Sequence, residues 1–389
     1  MSLTGQDIVC FANDWDGDPL SKTHLMRLAA RENRVLWVSS LGNRAPRPTG
    51  RDARRIVRKL GQALAGVREV EPNLFVISPV AVPLYGARWA REVNARLVTA
   101  EVRLAMRRLG MRSPIAVSFL PSAAPAFDRL GARLKVYYCV DDFGAFSGAG
   151  EPIARLEREL IAKSDLVICS AASLRREKAK LHPRVELVRH GVDFAHFSRS
   201  TSADLPVDER IRRLARPVLG FVGLVAEWID QDLLAAAADR FPSGTLVVVG
   251  REDVSCQKLR ARGNVVFLGR RPYAELPAIL KGFDVALCPF VDSLLSRAAN
   301  PLKVREYLAA GLPVVATPIP EVRRLGLCHI GRDAGEFVAA IDAALAAGGG
   351  PSEERSRSMR SESWEARWGE VSALIERGLA ERVPERRSA

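Results

Sequence analysis

Short apolar runs alternate with longer amphipathic stretches from one end of the chain to the other. In the first half the runs are Asp7–Ala12, Val35–Ser39, Leu74–Ser78, Pro114–Phe119, Lys135–Val140, Asp165–Ser170 and Val185–Val188. In the second half they are Val218–Gly223, Thr245–Gly250, Val265–Gly269, Asp284–Pro289 and Pro313–Thr317. Strands covered on both faces read as such continuous Val/Ile/Leu-rich segments. Intervening stretches such as Leu20–Glu32 and Pro152–Lys163 predict helices. Strand alternating with helix predicts an α/β chain of parallel sheets with right-handed crossovers. The stretch Ser198–Arg216 holds Ser198, Ser200, Thr201, Ser202, Asp204 and Pro206 and no strand signal, so it reads as an interdomain connection. A second break falls at Gly348–Pro351, followed by a charged helix with Trp364, Trp368 and Leu374 and a tail from Arg382 that looks frayed. The expected division is residues 1–198, a linker 199–216, residues 217–350, and a terminal segment 351–389.

Length agrees with two domains, since 389 residues at roughly 100–200 per domain make about two. No run reaches the roughly 18 apolar residues of a membrane span; the richest, Leu308–Pro320, is broken by Gly311, Pro313 and Pro318. Asn13, Asp14, Asp16 and Asp18 stand where a signal peptide needs an apolar core, which predicts a cytoplasmic protein. The six cysteines form no Cys-x-x-Cys pair and mostly lie in strand-like runs, as reduced buried thiols do. They show no metal-ligand spacing with the five histidines, so neither metal nor cofactor is expected.

The net charge of +13 changes the picture locally. Basic residues gather at Arg51–Lys59 and Arg88–Arg112, the latter with Val93, Leu97, Leu104 and Leu109 at roughly helical spacing. Such a stretch suits a peripheral surface on anionic lipid at the inner face of the cell membrane. A solvated basic helix reads equally well, and nucleic acid is set aside as a partner because it rests on charge alone.

The most informative stretch for chemistry is Asn300-Pro-Leu302-Lys303-Val-Arg-Glu306-Tyr-Leu-Ala-Ala-Gly311-Leu-Pro-Val-Val-Ala-Thr317. It reads as loop, helix and buried strand, with Pro301 suited to a first turn. A lysine in that turn opposes the helix dipole unless an anion sits nearby, and a diphosphate would supply one. Glu306 follows on the same face, placed to accept hydrogen bonds from sugar hydroxyls; an intrahelical Lys–Glu pair facing solvent is the plainer alternative. Gly223 ends a strand before a helix expected near Ile229 or Asp230, where backbone amides can approach a phosphate, though one glycine also makes an ordinary turn.

The stretch Asn-Pro-Leu-Lys-x-x-Glu-Tyr-Leu-Ala-Ala-Gly-x-Pro-Val-Val-Ala-Thr resembles the donor-site segment of group 1 (family 4) glycosyltransferases of the GT-B fold. His190-Gly-Val-Asp193 resembles the stretch that ends their N-terminal domain, and Phe267-Leu-Gly-Arg270 with Asp284-Val-Ala-Leu resembles the strand and helix that hold the base. The resemblance spans roughly Asp165–Pro320 and is nearest to bacterial surface-polysaccharide and teichuronic-acid-type enzymes. It implies two Rossmann-like domains facing a cleft, with the C-terminal helix crossing back to the first. It implies a nucleoside-diphosphate sugar, UDP-linked, as donor and a hydroxyl of a glycan or lipid-linked glycan as acceptor. Carried over residue by residue, Glu306 would hold the ribose, and Lys303 with the amides around Asn300 and Leu302 would grip the diphosphate. Gly223 would line the facing loop, and the backbone near Arg270 and Pro289 would frame the base. The retaining enzymes' Glu-x7-Glu is incomplete, since its first acid falls at Ala298, and no cation follows Gly223.

The first half offers a general base. Val136–Val140 leads into Asp141-Asp142-Phe143, and acids at a strand's carboxyl edge face the ligand crevice of such sheets. One of them would take the acceptor proton, as the base aspartate does in the similar xanthan-type glucuronosyltransferases. Asp142 is favoured over Asp141 because the pleat separates them; a helix N-cap is the alternative. The loop from Asn13, with Trp15, Asp16, Lys22 and His24, reads as an acceptor site or as a solvated turn. A sugar-nucleotide epimerase and a non-catalytic nucleotide-sugar-binding partner remain as rival functions.

Overall fold

The computed structural model describes residues 3–39, 66–80, 88–145 and 150–382. The basic segment Arg51–Lys59 and residues 383–389 of the expected tail lie outside them. The chain divides into two compact units, Met1–Arg189 with Arg367–Ala389, and His190–Ala366.

In the first unit, eight strands among the described residues form one sheet: β1 (Asp7–Ala12), β2 (Arg34–Ser39), β3 (Arg68–Glu71), β4 (Leu74–Ile77), β5 (Ile115–Ser118), β6 (Leu134–Cys139), β7 (Leu166–Cys169) and β8 (Val185–Leu187). Their spatial order is β3-β4-β2-β1-β5-β6-β7-β8. All pairs are parallel except β3 with β4. From β1 the chain first winds outward through β2 and β4, then returns to β5 on the other side. The winding reverses between β1 and β5, and the loops leaving their carboxyl ends diverge there into a crevice.

The second unit repeats the plan with β9 (Val218–Val222), β10 (Thr245–Val249), β11 (Val265–Gly269), β12 (Val285–Cys288), β13 (Val314–Ala316) and β14 (His329–Ile330). The order β11-β10-β9-β12-β13-β14 is parallel throughout and reverses between β9 and β12. The central strands are apolar because both faces are covered: Val247, Val285, Ala286 and Val314 are fully buried. The crossover helix Gln231–Arg240 starts at Asp230, whose carboxylate accepts the amides of Asp232 (2.9 Å) and Leu233 (3.1 Å) and so caps the turn. Its buried face carries Leu233, Leu234, Ala237 and Ala238.

Sequence and structure part at a few places. β3 lies outside the runs read as strands, because Arg-Glu-Val-Glu is half-exposed at an antiparallel edge. β14 is only two residues long. Ser198–Arg216, expected to connect domains, lies inside the second unit. Its polar residues bond inward: the Ser200 hydroxyl donates to Pro277 O (2.8 Å), the Asp208 amide to Ala278 O (3.1 Å), and Ile211 is buried. His190–Asp193 likewise opens the second unit instead of closing the first, held there by amide bonds from Val192 to Glu362 O (2.9 Å) and from Trp364 to Val192 O (3.1 Å). The helix Trp364–Glu381 runs past the end of the second unit, and from Arg367 onward it belongs to the first. There Gly378 lies against Leu134, and Arg382 donates to Arg133 O at 3.1 Å. No helix among the described residues is long and apolar enough to cross a membrane.

Candidate functional site

Local structure at the β9/β12 reversal follows from two glycines and one helix. Gly223, just past β9, has φ +149°, and its amide donates to Val249 O at 2.8 Å. A Cβ on Gly223 would lie 2.6 Å from Lys303 Nζ, and one on Gly250 (φ +148°) would lie 1.8 Å from Gly223 O. Glycine is required at 250 by the approach of backbone to backbone and favoured at both positions by the positive φ. The helix Leu302–Ala309 begins at Pro301 with no side-chain cap and no acid in its first turn. Its first amides and its dipole are therefore left for an anion. Tyr307 fixes the helix to β9: its hydroxyl donates to Val222 O (3.1 Å) and accepts from the Val222 amide (2.7 Å).

Lys303 Nζ lies 4.3 Å from the centroid of Phe221 and 5.2 Å from that of Phe290. Aromatic faces attract a cation but replace little of its hydration. Burial accordingly pulls the Lys303 pKa below the usual lysine value, with Cys288 and Glu306 opposing. Glu306 is pushed from 4.5 up to about 7, first by burial and then by the negative charge of Asp193, while Lys303 opposes. Asp193 caps the short helix Phe194–Phe197 by accepting the His196 amide at 3.1 Å. The second crevice thus presents a desolvated cation, uncapped amides and a carboxyl near neutrality.

The crevice of the first unit is built from different material. Lys22, on the helix Ser21–Ala30 after β1, is buried, and its ammonium donates to Asn13 Oδ1. Burial lowers its pKa to about 8 against the opposing charge of Asp141. Asp141 is shifted up, chiefly by burial, with Lys22 lowering it and Asp142 raising it. Asp142 Oδ1 accepts the Gly144 amide at 3.2 Å, which closes a turn. Below them, Glu157 Oε2 pairs with Lys178 Nζ at 2.9 Å, and Glu157 Oε1 accepts the Tyr137 hydroxyl at 2.8 Å. Beside this cluster, at the carboxyl ends of β1, β2 and β5, lies a cavity with a mostly apolar lining that includes Phe11, Ala12, Val38 and Leu120. No group of three or more His, Cys, Asp or Glu side chains among the described residues is arranged to hold a metal.

Residues 216–347 match the family model described as Glycosyl transferases group 1. The matched residues all lie in the second unit, which is therefore similar to a group 1 glycosyl transferase domain. Among curated proteins, a putative teichuronic acid biosynthesis glycosyltransferase, TuaH of Bacillus subtilis, is 28% identical over 253 residues. That match covers 59% of this chain and 63% of the relative, so the chain spans less than two thirds of the relative's length. Among solved structures, sucrose-phosphate synthase from Thermosynechococcus elongatus aligns over 97% of this chain and 100% of its own at TM-score 0.66 and 18% identity. Anabaena HepE in complex with UDP aligns over 95% and 99% at TM-score 0.62 and 14% identity. At such identities the likeness is one of fold, and that fold is the GT-B architecture of two parallel-sheet domains.

Within the second unit, the structure brings Gly223, Lys303 and Glu306 together at the β9/β12 reversal. Asn300 is buried, and its Oδ1 accepts from Arg305 Nη1. Leu302 forms the first turn beside Lys303. Pro289 follows β12, and its carbonyl accepts the Asp230 amide at 2.8 Å. Arg270 is exposed past β11, at the sheet edge two strands from β9. In the first unit, Asp141 and Lys22 share one electrostatic cluster with Asp142. Asp141 and Asp142 lie beyond the end of β6 at Cys139, so the pleat does not set their directions. Trp15 meets Trp37 edge to face with centroids 5.0 Å apart, and Arg27 Cζ lies 5.3 Å over its ring. Asp16 is exposed, 4.0 Å from Arg68 Nη2, and His24 is half-buried on the helix with Lys22. Tyr307, Asp193, Phe221 and Phe290 went unassigned in sequence. Tyr307 and Asp193 fall inside motifs already singled out, whereas the two phenylalanines look like ordinary core.

Proposed function

We propose that the protein transfers a glycosyl unit from a nucleoside-diphosphate sugar, UDP-linked, to a hydroxyl of a glycan or lipid-linked glycan in cell-surface polysaccharide synthesis. The observation that carries this reading is the Lys303 ammonium, held over two aromatic rings, against Gly223 and in the first turn of an uncapped helix. A buried ammonium whose nearby carboxyl, Glu306, is itself pushed toward its neutral form keeps charge for an anion that arrives with the substrate. The name of TuaH, and a solved HepE structure in complex with UDP-glucose, support the substrate class.

The chemistry follows from the charges each crevice must meet. Lys303 and the amides from Leu302 onward neutralise the diphosphate as it leaves the anomeric carbon, where negative charge develops. Glu306 accepts hydrogen bonds from the ribose. In the first unit, Asp141 takes the proton of the attacking acceptor hydroxyl, since its raised pKa lies closer to the working range of a base. Asp142 holds the turn that carries it. No metal is given a part.

The long helix Arg88–Arg108 of the first unit suits a membrane-linked acceptor. Trp89, Val93, Leu97 and Leu104 are exposed along one side, flanked by the exposed Arg96, Arg103 and Arg107. Apolar side chains beside arginines fit an anionic bilayer surface at the inner face of the cell membrane. Reduced sedimentation of Trp89→Ser/Leu104→Ser with phosphatidylglycerol vesicles, relative to the unchanged protein, is the check.

A donor screen tests the reaction. UDP release from a UDP-sugar, dependent on an added glycan acceptor and exceeding GDP release from GDP-sugars, is the expected result. Conversion of the sugar nucleotide without acceptor would point to an epimerase. Nucleotide binding without turnover against any acceptor would point to a non-catalytic partner of an assembly complex.

A further inference from the structure

The winding reverses twice in this protein, and the two reversals are lined by opposite chemistries. A ligand crevice is expected at each, because loops diverge there from the carboxyl ends of the strands. The crevice of the first unit lies at the carboxyl ends of β1, β2 and β5 and is walled by Ala12, Val38, Val98, Leu120, Ala123 and Leu156. Its polar contributions are few, among them Asn94, Ser39 and Ser122. A sugar bristling with hydroxyls would lose hydration against such a wall and gain few hydrogen bonds in return. A hydrocarbon chain would gain from every methylene it removed from water.

The polar cluster begins one residue beyond this wall. Ala12 lines the cavity, and the next residue, Asn13, accepts from Lys22, which is electrostatically coupled to Asp141. Asn94, Ala95 and Val98 of the cavity wall lie on the inward side of the same helix whose outward side carries Trp89, Val93, Leu97 and Leu104.

We infer that the first unit binds an amphiphilic acceptor, its alkyl or isoprenoid chain in the apolar cavity and its hydroxyl at the Asp141 cluster. This rests on the reading of the protein as a glycosyltransferase and narrows the acceptor to a lipid-type glycoside or alcohol. The cavity selects by chain, and the polar cluster receives the head.

The test is calorimetric titration of the full chain with methyl, butyl, hexyl and octyl β-D-glucopyranoside, all below the micelle concentration. Affinity is expected to rise with chain length and to plateau once the cavity is filled, with octyl at least tenfold tighter than methyl. Ala123→Phe, which fills the cavity, is expected to weaken octyl binding at least fivefold and leave UDP affinity unchanged. The double variant Trp89→Ser/Leu104→Ser is expected to bind octyl glucoside normally, which separates the cavity from the outer face of the helix. Equal affinity for methyl and octyl glucosides overturns the inference without recourse to any variant, as does octyl binding lost in the double variant but kept in Ala123→Phe. Octyl binding without UDP binding would instead keep the cavity and remove the transferase reading.

Discussion

The two crevices occupy the same topological position, yet one is built for charge and the other for hydrocarbon. In the second unit, Gly223 and Gly250 strip side chains from the strand ends so that an ammonium and bare amides reach the opening. In the first, the strand ends keep Ala12 and Val38, and the charges stand to one side as Lys22 and Asp141. Identical winding therefore prescribes where a ligand goes but not which ligand. The side chains at the carboxyl ends of a few strands make that choice, which is how one fold can hold a donor in one domain and an acceptor in the other.

The comparison breaks most visibly at the acids. Asp141→Asn is expected to cut turnover about 10³-fold, within the usual range for loss of a general base, while UDP affinity stays unchanged. Asp142→Asn should cost less, because its carboxylate oxygen holds the turn through the Gly144 amide. Initial rates beside UDP titrations distinguish the two, and a larger loss from Asp142→Asn would move the base to Asp142. Gly223→Ala comes next. Its Cβ would press on Lys303 at a backbone angle unfavourable for side chains, so UDP affinity should fall about tenfold, equivalent to about 1.4 kcal/mol. An unchanged affinity would mean the ammonium plays no part in binding.

The smallest expected effect is one of stability. Glu306 titrates near 7 in the folded chain and near 4.5 otherwise. Between those values the unfolded chain releases its proton first, so this residue lowers stability as pH rises from about 4.5 to 7 and adds nothing further above. Glu306→Gln removes that loss. Its melting temperature relative to the unchanged protein should therefore climb by a few degrees from pH 5 to pH 8. Parallel melting curves across that range would mean Glu306 ionises normally.

How much was legible in the sequence differed between the crevices in the same way. Lys303 and Glu306 lie in one contiguous helix next to the strand they serve, so spacing alone put them on one face. Lys22 and Asp141 are far apart in the chain and meet only because β1, β5 and β6 are adjacent in the sheet. No local pattern records that adjacency. The strands β1 and β11 were legible to the residue as apolar runs, while β3, with three of its four residues charged, was not. Ser198–Arg216 looked like a linker because composition reports polarity, whereas burial depends on where Ser200 and Ile211 point.

The central claim is that the crevice of the second unit grips a diphosphate through Lys303. Calorimetric titration of UDP against uridine, in the unchanged protein and in Lys303→Ala, tests it most directly. UDP is expected to bind at least about 100-fold more tightly than uridine, a gap of about 2.7 kcal/mol, and most of that gap should vanish in Lys303→Ala while uridine affinity holds. A gap that survives the loss of the ammonium would contradict the account.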